Sequence, residues 1–389
     1  MKSRKILFVH DGPRWKDMTD TYFGKAGDKS LIDRYHFLGE HVNFLMRANY
    51  HDDCSDLLNF SDNESMFFEV PTFNRPKYFH HYFKALKIIK KVVHEHDALI
   101  IRLPSTIGGI AKTYADKYKI PYIIEVVACP WDSLFNYNVL GKIYAPFAYF
   151  KLKNKVYKAE NVMYVTQKFL QSRYPNKNNN IGLSDVVIQT PDQGVLKRKI
   201  EHIKKLNKSK TFHLATLAAV DVIYKGHDDV FRAISILVQK GYKLKYHIAG
   251  SGSPKRLEKL VGEYGVESFV VFEGSLSHNS IFSFLDKIDI YIQPSKVEGL
   301  PRALVEAMSR ACVCIGSSAG GIPELLPKDM IFNKNNIDEL VYIIERVILN
   351  SELMEQCSNA NFNKAKTFQF ELLENIRKSY YKNFLNEYF

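Results

Sequence analysis

Two carboxylates eight positions apart, Glu298 and Glu306, flank a proline in the string Glu298-Gly-Leu-Pro-Arg-Ala-Leu-Val-Glu306-Ala-Met. Pro301 suits the first position of a helix, where its missing N–H is no loss. A helix beginning there leaves backbone N–H groups near Leu300, Arg302 and Ala303 free to bind an anion or sugar oxygens. Glu298 falls in the loop before that helix and Glu306 in its second turn. Two carboxylates beside one cationic helix end can accept hydrogen bonds from polyol hydroxyls, as holding a ribose and a sugar requires. Spacing alone leaves a plainer alternative open: Glu306 as a helix-face residue and Glu298 as an acid favoured by the helix dipole.

These groups need elements to position them. Short apolar runs at 5–10, 41–47, 98–103, 122–127 and 161–166 read as strands, with amphipathic stretches such as 82–96 and 108–119 between them. Near-continuous apolar strands alternating with helices predict a parallel sheet covered on both faces. A polar break follows at 176–185, and its asparagines, 176–180, are expected to form a mobile loop. A very basic segment, 196–210, comes next. Strand and helix then alternate again, with strands at 211–217, 243–250, 269–274, 288–294 and 313–316, and from about Asn336 only helix is expected. The fold class predicted is α/β, with two Rossmann-like, doubly wound parallel-sheet domains facing a cleft. The expected boundaries are 1–195 and 196–366, with a C-terminal helix at 367–389 crossing back to the first domain. In such sheets ligands sit outside the carboxyl ends of the strands.

The string from Glu298 to Met308 resembles the E-x7-E motif of the retaining glycosyltransferases of family 4. Four further segments match that family in order: Tyr224-Lys225-Gly226-His227-Asp228, the glycine turn Gly250-Ser251-Gly252, Phe272-Glu273-Gly274-Ser275-Leu276 and Gly320-Gly321-Ile322-Pro323-Glu324. The resemblance implies the GT-B fold, an N-terminal acceptor domain and a C-terminal nucleotide-sugar domain. It implies that Glu298 binds hydroxyls of the transferred sugar and Glu306 those of the ribose. Amides around Gly299, Leu300 and Arg302 would hold sugar and phosphate oxygens, Lys225 would neutralise the leaving diphosphate, and Gly250 and Leu276 would lie on the donor side, Leu276 at the base. The donor would be a nucleotide diphosphate sugar, with no metal and no other cofactor.

Departures from the family pattern are informative. Relatives often carry an arginine six positions before the lysine, where this chain has Ala219, and Arg302 is a candidate to supply the missing charge. Relatives also present a histidine from the N-terminal domain, but the matching region, Glu125 to Asp132, has none. Asp132, Arg102, Asp11 and Gly12 are the acceptor-side candidates, with Glu125 and Gly24 weaker ones. The strings His10-Asp11-Gly12-Pro13, Ile101-Arg102-Leu103-Pro104-Ser105 and Cys129-Pro130-Trp131-Asp132-Ser133 resemble, more loosely, transferases that build bacterial capsule or O-antigen repeats. That implies a glycan acceptor, free or on a polyprenyl diphosphate. A binding or scaffold subunit of the same family, with little activity, is the alternative that Ala219 and the absent histidine keep open.

Charge is unevenly placed. The 389 residues carry a net +12, and the stretch 101–210, with 19 basic and 7 acidic residues, accounts for all of it. The donor motifs lie outside that stretch, so the excess points to an acceptor or to an anionic membrane surface, with a solvated lysine-rich face as the plainer alternative. Residues 139–159 mix aromatics with lysines, although Pro146 is expected to interrupt a helix there, and 77–96 is a second such segment. Nucleic-acid binding would want clustered arginine with stacking aromatics in a known module, and none is present. No run of 18 apolar residues exists, and Ile6–Val9 is too short for a signal-peptide core. Five scattered cysteines suit a reducing compartment, and no metal spacing accompanies Cys312 and Cys314. The expected location is cytoplasmic, peripheral at the inner face of the cytoplasmic membrane.

Overall fold

The computed structural model describes residues 3–12, 14–24, 27–54, 57–60, 65–73, 76–206 and 210–389. Pro13 of the first loop and residues 207–209 of the basic segment lie outside them. Seven parallel strands form the first sheet, in the order Asn179–Gly182, Asn161–Tyr164, Tyr122–Val126, Ala98–Leu103, Lys5–Val9, His41–Met46 and Phe67–Glu69. Six parallel strands form the second: Val270–Gly274, Leu244–Ala249, Phe212–Leu217, Ile290–Gln293, Val313–Ser317 and Ile331–Phe332. The central strands are apolar throughout because both faces are covered, and Ile6, Leu7, Phe8 and Val9 are all buried. Strand order reverses between Lys5–Val9 and Ala98–Leu103 in one sheet, and between Phe212–Leu217 and Ile290–Gln293 in the other. Loops leaving such paired strands diverge to opposite sides and open a crevice at the carboxyl end.

Three expectations need correction. The asparagine cluster is a loop only over 176–178, since Asn179 and Asn180 open the edge strand Asn179–Gly182, paired with Asn161–Tyr164. Its amides replace apolar contacts: Asn179 Nδ2 donates to Asn161 Oδ1 at 2.8 Å, and Asn176 Nδ2 caps the carbonyls of Val156 and Ala159 at 2.7 and 2.8 Å. Pro146 does not break its helix, which runs from Val139 to Tyr157. The ring removes one internal hydrogen bond, while Gly141, Ala145, Leu152 and Val156 bury a continuous face that holds the helix in place. A third, four-stranded sheet of Ala48–Tyr50, Arg14–Lys16, Tyr22–Gly24 and Leu58–Asn59 was not expected. Gly24 lies within it, paired with Leu58.

The chain crosses between the sheets twice, and the crossings touch. Ile188 N donates to Phe368 O and Phe370 N to Ile188 O, each at 2.9 Å. The helix Phe370–Tyr388 then packs on the first sheet: Arg377 donates to Ser184 O at 2.9 Å, and Asn161 Nδ2 to Tyr388 Oη at 3.2 Å. Part of the basic segment is structural. Lys199, on the helix Gln193–Ile203, is buried and donates to the carbonyls of Asp286 and Ile288 at 3.0 and 2.7 Å.

Candidate functional site

The second crevice collects the residues of the Glu298 string. Gln293 ends its strand fully buried, accepts from Tyr291 Oη at 2.8 Å and donates to Ser295 Oγ at 2.9 Å and Glu298 Oε1 at 3.3 Å. This relay fixes the Glu298 carboxylate from below. On the adjacent strand Phe212–Leu217, the outgoing chain makes a short 3₁₀ turn at Ile223–Lys225. Gly226 follows at φ 76°, and a Cβ there would fall 2.2 Å from Pro294 O, so only glycine lets the two loops meet. Lys296 N donates to Tyr224 O at 2.7 Å across the same seam. The result is direct contact between the two principal candidates: Lys225 Nζ lies 2.7 Å from Glu298 Oε1.

Pro301 caps the next helix in extended backbone, and the helix proper is Arg302–Ser309. Its first amides have no intrahelical acceptor. Gly299 lies against the first domain, where a Cβ would stand 2.7 Å from Val127 O, and Gly321 N donates to Gly299 O at 2.7 Å. Leu300 is partly buried beside Gly299, and Arg302 is exposed. Glu306 is 5% exposed, and its carboxylate accepts no hydrogen bond from the described residues. Burial pushes its pKa up, with the Arg302 guanidinium pulling it partly back. A buried carboxylate without a protein donor is one that ligand hydroxyls can satisfy.

Gly250 closes the floor: a Cβ there would fall 1.9 Å from Ala218 O. Next to it is a residue that the sequence did not single out. Arg256 begins the helix Lys255–Glu263 after the glycine turn, and its Nε and one terminal nitrogen are buried with no hydrogen-bond partner among the described residues. Its charge helps lower the pKa of His227 to about 4, behind burial as the main cause. His227 Nε2 lies 3.3 Å from Ala219 O, the position of the missing arginine. Leu276 lines a cavity of about 550 Å³ with His213, His247, Glu273 and Phe284, which includes none of Lys225, Glu298 or Glu306.

The acceptor-side candidates are held within the first domain. Asp11 accepts from Thr106 N and Ile107 N at 2.5 and 2.8 Å, which starts the helix Thr106–Tyr118. Gly12 N donates to His10 Nδ1 at 2.9 Å. Arg102 is paired with Asp185 and lies 3.6 Å from Glu125, which accepts from Tyr35 Oη at 2.8 Å. Asp132 is buried and paired with Arg173 at 3.0 Å. Asp11 also lines a groove of about 290 Å³ with Ser105, Ser133, Tyr144, Lys151 and Lys155. One residue of the Gly320–Glu324 segment bridges the domains: the Glu324 carboxylate accepts from the amides of Gln167, Lys168 and Phe169 at 2.6, 3.0 and 2.5 Å.

Comparison with known proteins bears on family and fold. Residues 198–364 match the glycosyl transferases group 1 family. Protein CapJ of Staphylococcus aureus is 30% identical over 400 residues, covering 99% of this chain and 97% of CapJ. Among solved structures, sucrose-phosphate synthase from Thermosynechococcus elongatus superposes with a TM-score of 0.72 at 13% identity, over 99% of this chain and all of that one. Anabaena HepE in complex with UDP-glucose superposes at 0.66 and 14% identity, over 97% and 98% of the two chains. The two-sheet architecture is the GT-B fold, and the chain belongs to the group 1 glycosyltransferases.

Proposed function

We propose that this glycosyltransferase transfers a sugar with retention from a nucleotide diphosphate sugar to a hydroxyl of a glycan, free or polyprenyl-diphosphate-linked, in surface polysaccharide synthesis. The observation that carries the reading is the Lys225–Glu298 contact at the mouth of the second crevice, beside the start of the helix Arg302–Ser309. Lys225 and the amides following Gly299 meet the donor diphosphate and stabilise the charge it gains as the bond to the anomeric carbon breaks. Glu298, released from Lys225, accepts hydrogen bonds from the transferred sugar, and Glu306 accepts them from the ribose. The acceptor hydroxyl attacks from the leaving-group face. Its oxygen bonds the anomeric carbon as the diphosphate leaves, and a donor phosphate oxygen takes its proton, so no protein nucleophile is used. That HepE is described in complex with UDP-glucose supports a nucleotide diphosphate sugar in this crevice.

No metal is assigned a role. In this reading Lys225 and the amides following Gly299 supply the charge that meets the diphosphate. The alternative, a binding subunit with little activity, is favoured by Ala219 and by the absence of a histidine from Glu125 to Asp132. Thermal stabilisation of the purified chain across a panel of nucleotide sugars identifies base and sugar together, because a ligand that binds only the folded state raises Tm. Product analysis with the stabilising donor then decides between the readings. Transfer with an unchanged anomeric configuration supports ours, inversion overturns retention, and binding without hydrolysis or transfer favours the subunit.

A further inference from the structure

The helix Val139–Tyr157 is apolar on both sides. Gly141, Ala145, Leu152 and Val156 face the protein interior and are buried. On the opposite side Leu140, Ile143, Phe147 and Phe150 are 64–75% exposed. Their spacing of three and four residues places them in one stripe along the helix, and Tyr137 and Val139 extend it at the N-terminal end. A contiguous exposed apolar stripe of this kind marks a contact surface rather than a solvated one.

Charge identifies the partner. From Ser133 to Ala159 the chain has no acidic residue and five lysines: Lys142, Lys151, Lys153, Lys155 and Lys158. Lys155 is taken by Gly109 O at 2.6 Å, whereas Lys142, Lys151, Lys153 and Lys158 form no salt bridge among the described residues. A second copy of the chain, seated face to face, would set these lysines against lysines. An anionic lipid surface satisfies both halves of the face at once, with aromatic and aliphatic side chains at the acyl boundary and ammonium groups among the phosphates. Among the described residues no helix is long and apolar enough to cross a membrane, so this one would lie along the surface.

We infer that the outer face of the helix Val139–Tyr157 seats the enzyme on an anionic bilayer. The groove of about 290 Å³ opens onto this face, since Tyr144 and Lys151 belong to both, and it leads inward to Asp11 and Ser105 at the strand ends. A phosphate-bearing lipid acceptor resting in the bilayer would enter the groove past Lys151 and Lys155. This last step rests on the acceptor reading proposed above, whereas the docking itself does not.

Sedimentation of the full chain with vesicles tests the docking. The chain is expected to bind phosphatidylcholine vesicles containing about 30% phosphatidylglycerol at physiological salt, and phosphatidylcholine alone at least about tenfold more weakly. Leu140→Ser/Ile143→Ser/Phe147→Ser and Lys142→Glu/Lys151→Glu/Lys153→Glu are each expected to weaken anionic-vesicle binding at least about tenfold. All six positions leave the buried face intact, so Tm and the nucleotide-sugar shift should match the parent. Equal binding to both vesicle types, variants that bind like the parent, or a dimer dissolved by the apolar variant would overturn the inference. Vesicle binding by a parent that no nucleotide sugar stabilises would leave the docking standing and overturn the donor reading instead.

Discussion

Lys225 Nζ and Glu298 Oε1 stand 2.7 Å apart although 73 positions separate them in sequence, and both side chains are largely buried at the crevice mouth. Each is thus held by the other until a donor arrives. In the proposed reaction the diphosphate takes Lys225 and the sugar hydroxyls take Glu298, so one ligand would satisfy both halves of the pair. Removing either partner leaves the other charge half-buried and loses its share of transition-state stabilisation. Glu298→Ala and Lys225→Ala are each expected to lower kcat about 10²–10³-fold, measured as transfer at saturating donor. Turnover near the parent level in Glu298→Ala would sink the assignment.

Arg256 is a second candidate, beside Arg302, for the charge absent at position 219. Two of its guanidinium nitrogens are buried without a partner, and its field reaches His227, which touches Ala219 O. Arg302 is exposed at the helix start. Arg256→Met, which keeps the stem, is expected to raise the donor KM about tenfold or more, an effect of roughly 1.4 kcal/mol. Arg302→Met is expected to do less. Steady-state donor titrations compare the two, and the reverse ranking would restore Arg302 as the compensating charge.

The reach of the sequence follows from how local each feature is. The turn and helix around Pro301 lie within one strand–loop–helix unit, so residue spacing alone placed Glu298 before the helix and Glu306 on it. The Lys225–Glu298 contact depends on Phe212–Leu217 and Ile290–Gln293 being neighbours in the sheet, with a register set only by packing. Ala219 announced a missing charge but could not say that the field of Arg256, 37 positions on, would reach His227, which touches Ala219 O. The strand Asn179–Gly182 was hidden because an edge strand needs little apolar pattern when asparagine amides complete its hydrogen bonds. The four-stranded sheet was hidden because strands of two or three residues show no period.

Burial holds the Glu306 carboxyl above its ordinary value of 4.5. The folded chain therefore binds this proton more tightly than the unfolded chain does. Ionising Glu306 costs stability, and the cost grows as pH rises from the unfolded carboxylate range through the folded pKa. Glu306→Gln removes that cost while keeping the shape. The variant should melt above the parent at pH 8, with the gap closing as pH falls toward 4.5. It should also lose most of the nucleotide-sugar stabilisation seen in the parent. Calorimetry with and without donor at the two pH values reads both effects, and a gap that widened on acidification would contradict the burial argument.

Glu324 joins the domains by an arrangement whose loss has a distinct signature. Its carboxylate takes three consecutive amides, Gln167, Lys168 and Phe169, at the start of the helix Phe169–Arg173. Those amides belong to the first domain, whereas Glu324 follows Gly321, whose N–H holds Gly299 O. The contact therefore ties the Glu298 loop to the first domain. Glu324→Ala strands three donors at a helix start and is expected to cost about 1–2 kcal/mol of stability. The functional effect separates it from the donor residues. Donor binding, measured by thermal shift, should remain close to the parent's, because Lys225, Glu298 and Glu306 are untouched. Transfer should fall, because the two domains no longer hold donor and acceptor in register. Glu324→Gln, which keeps one carbonyl oxygen as an acceptor, should recover part of the lost rate. Loss of donor binding in Glu324→Ala as large as in Glu298→Ala would show instead that the segment belongs to the donor pocket.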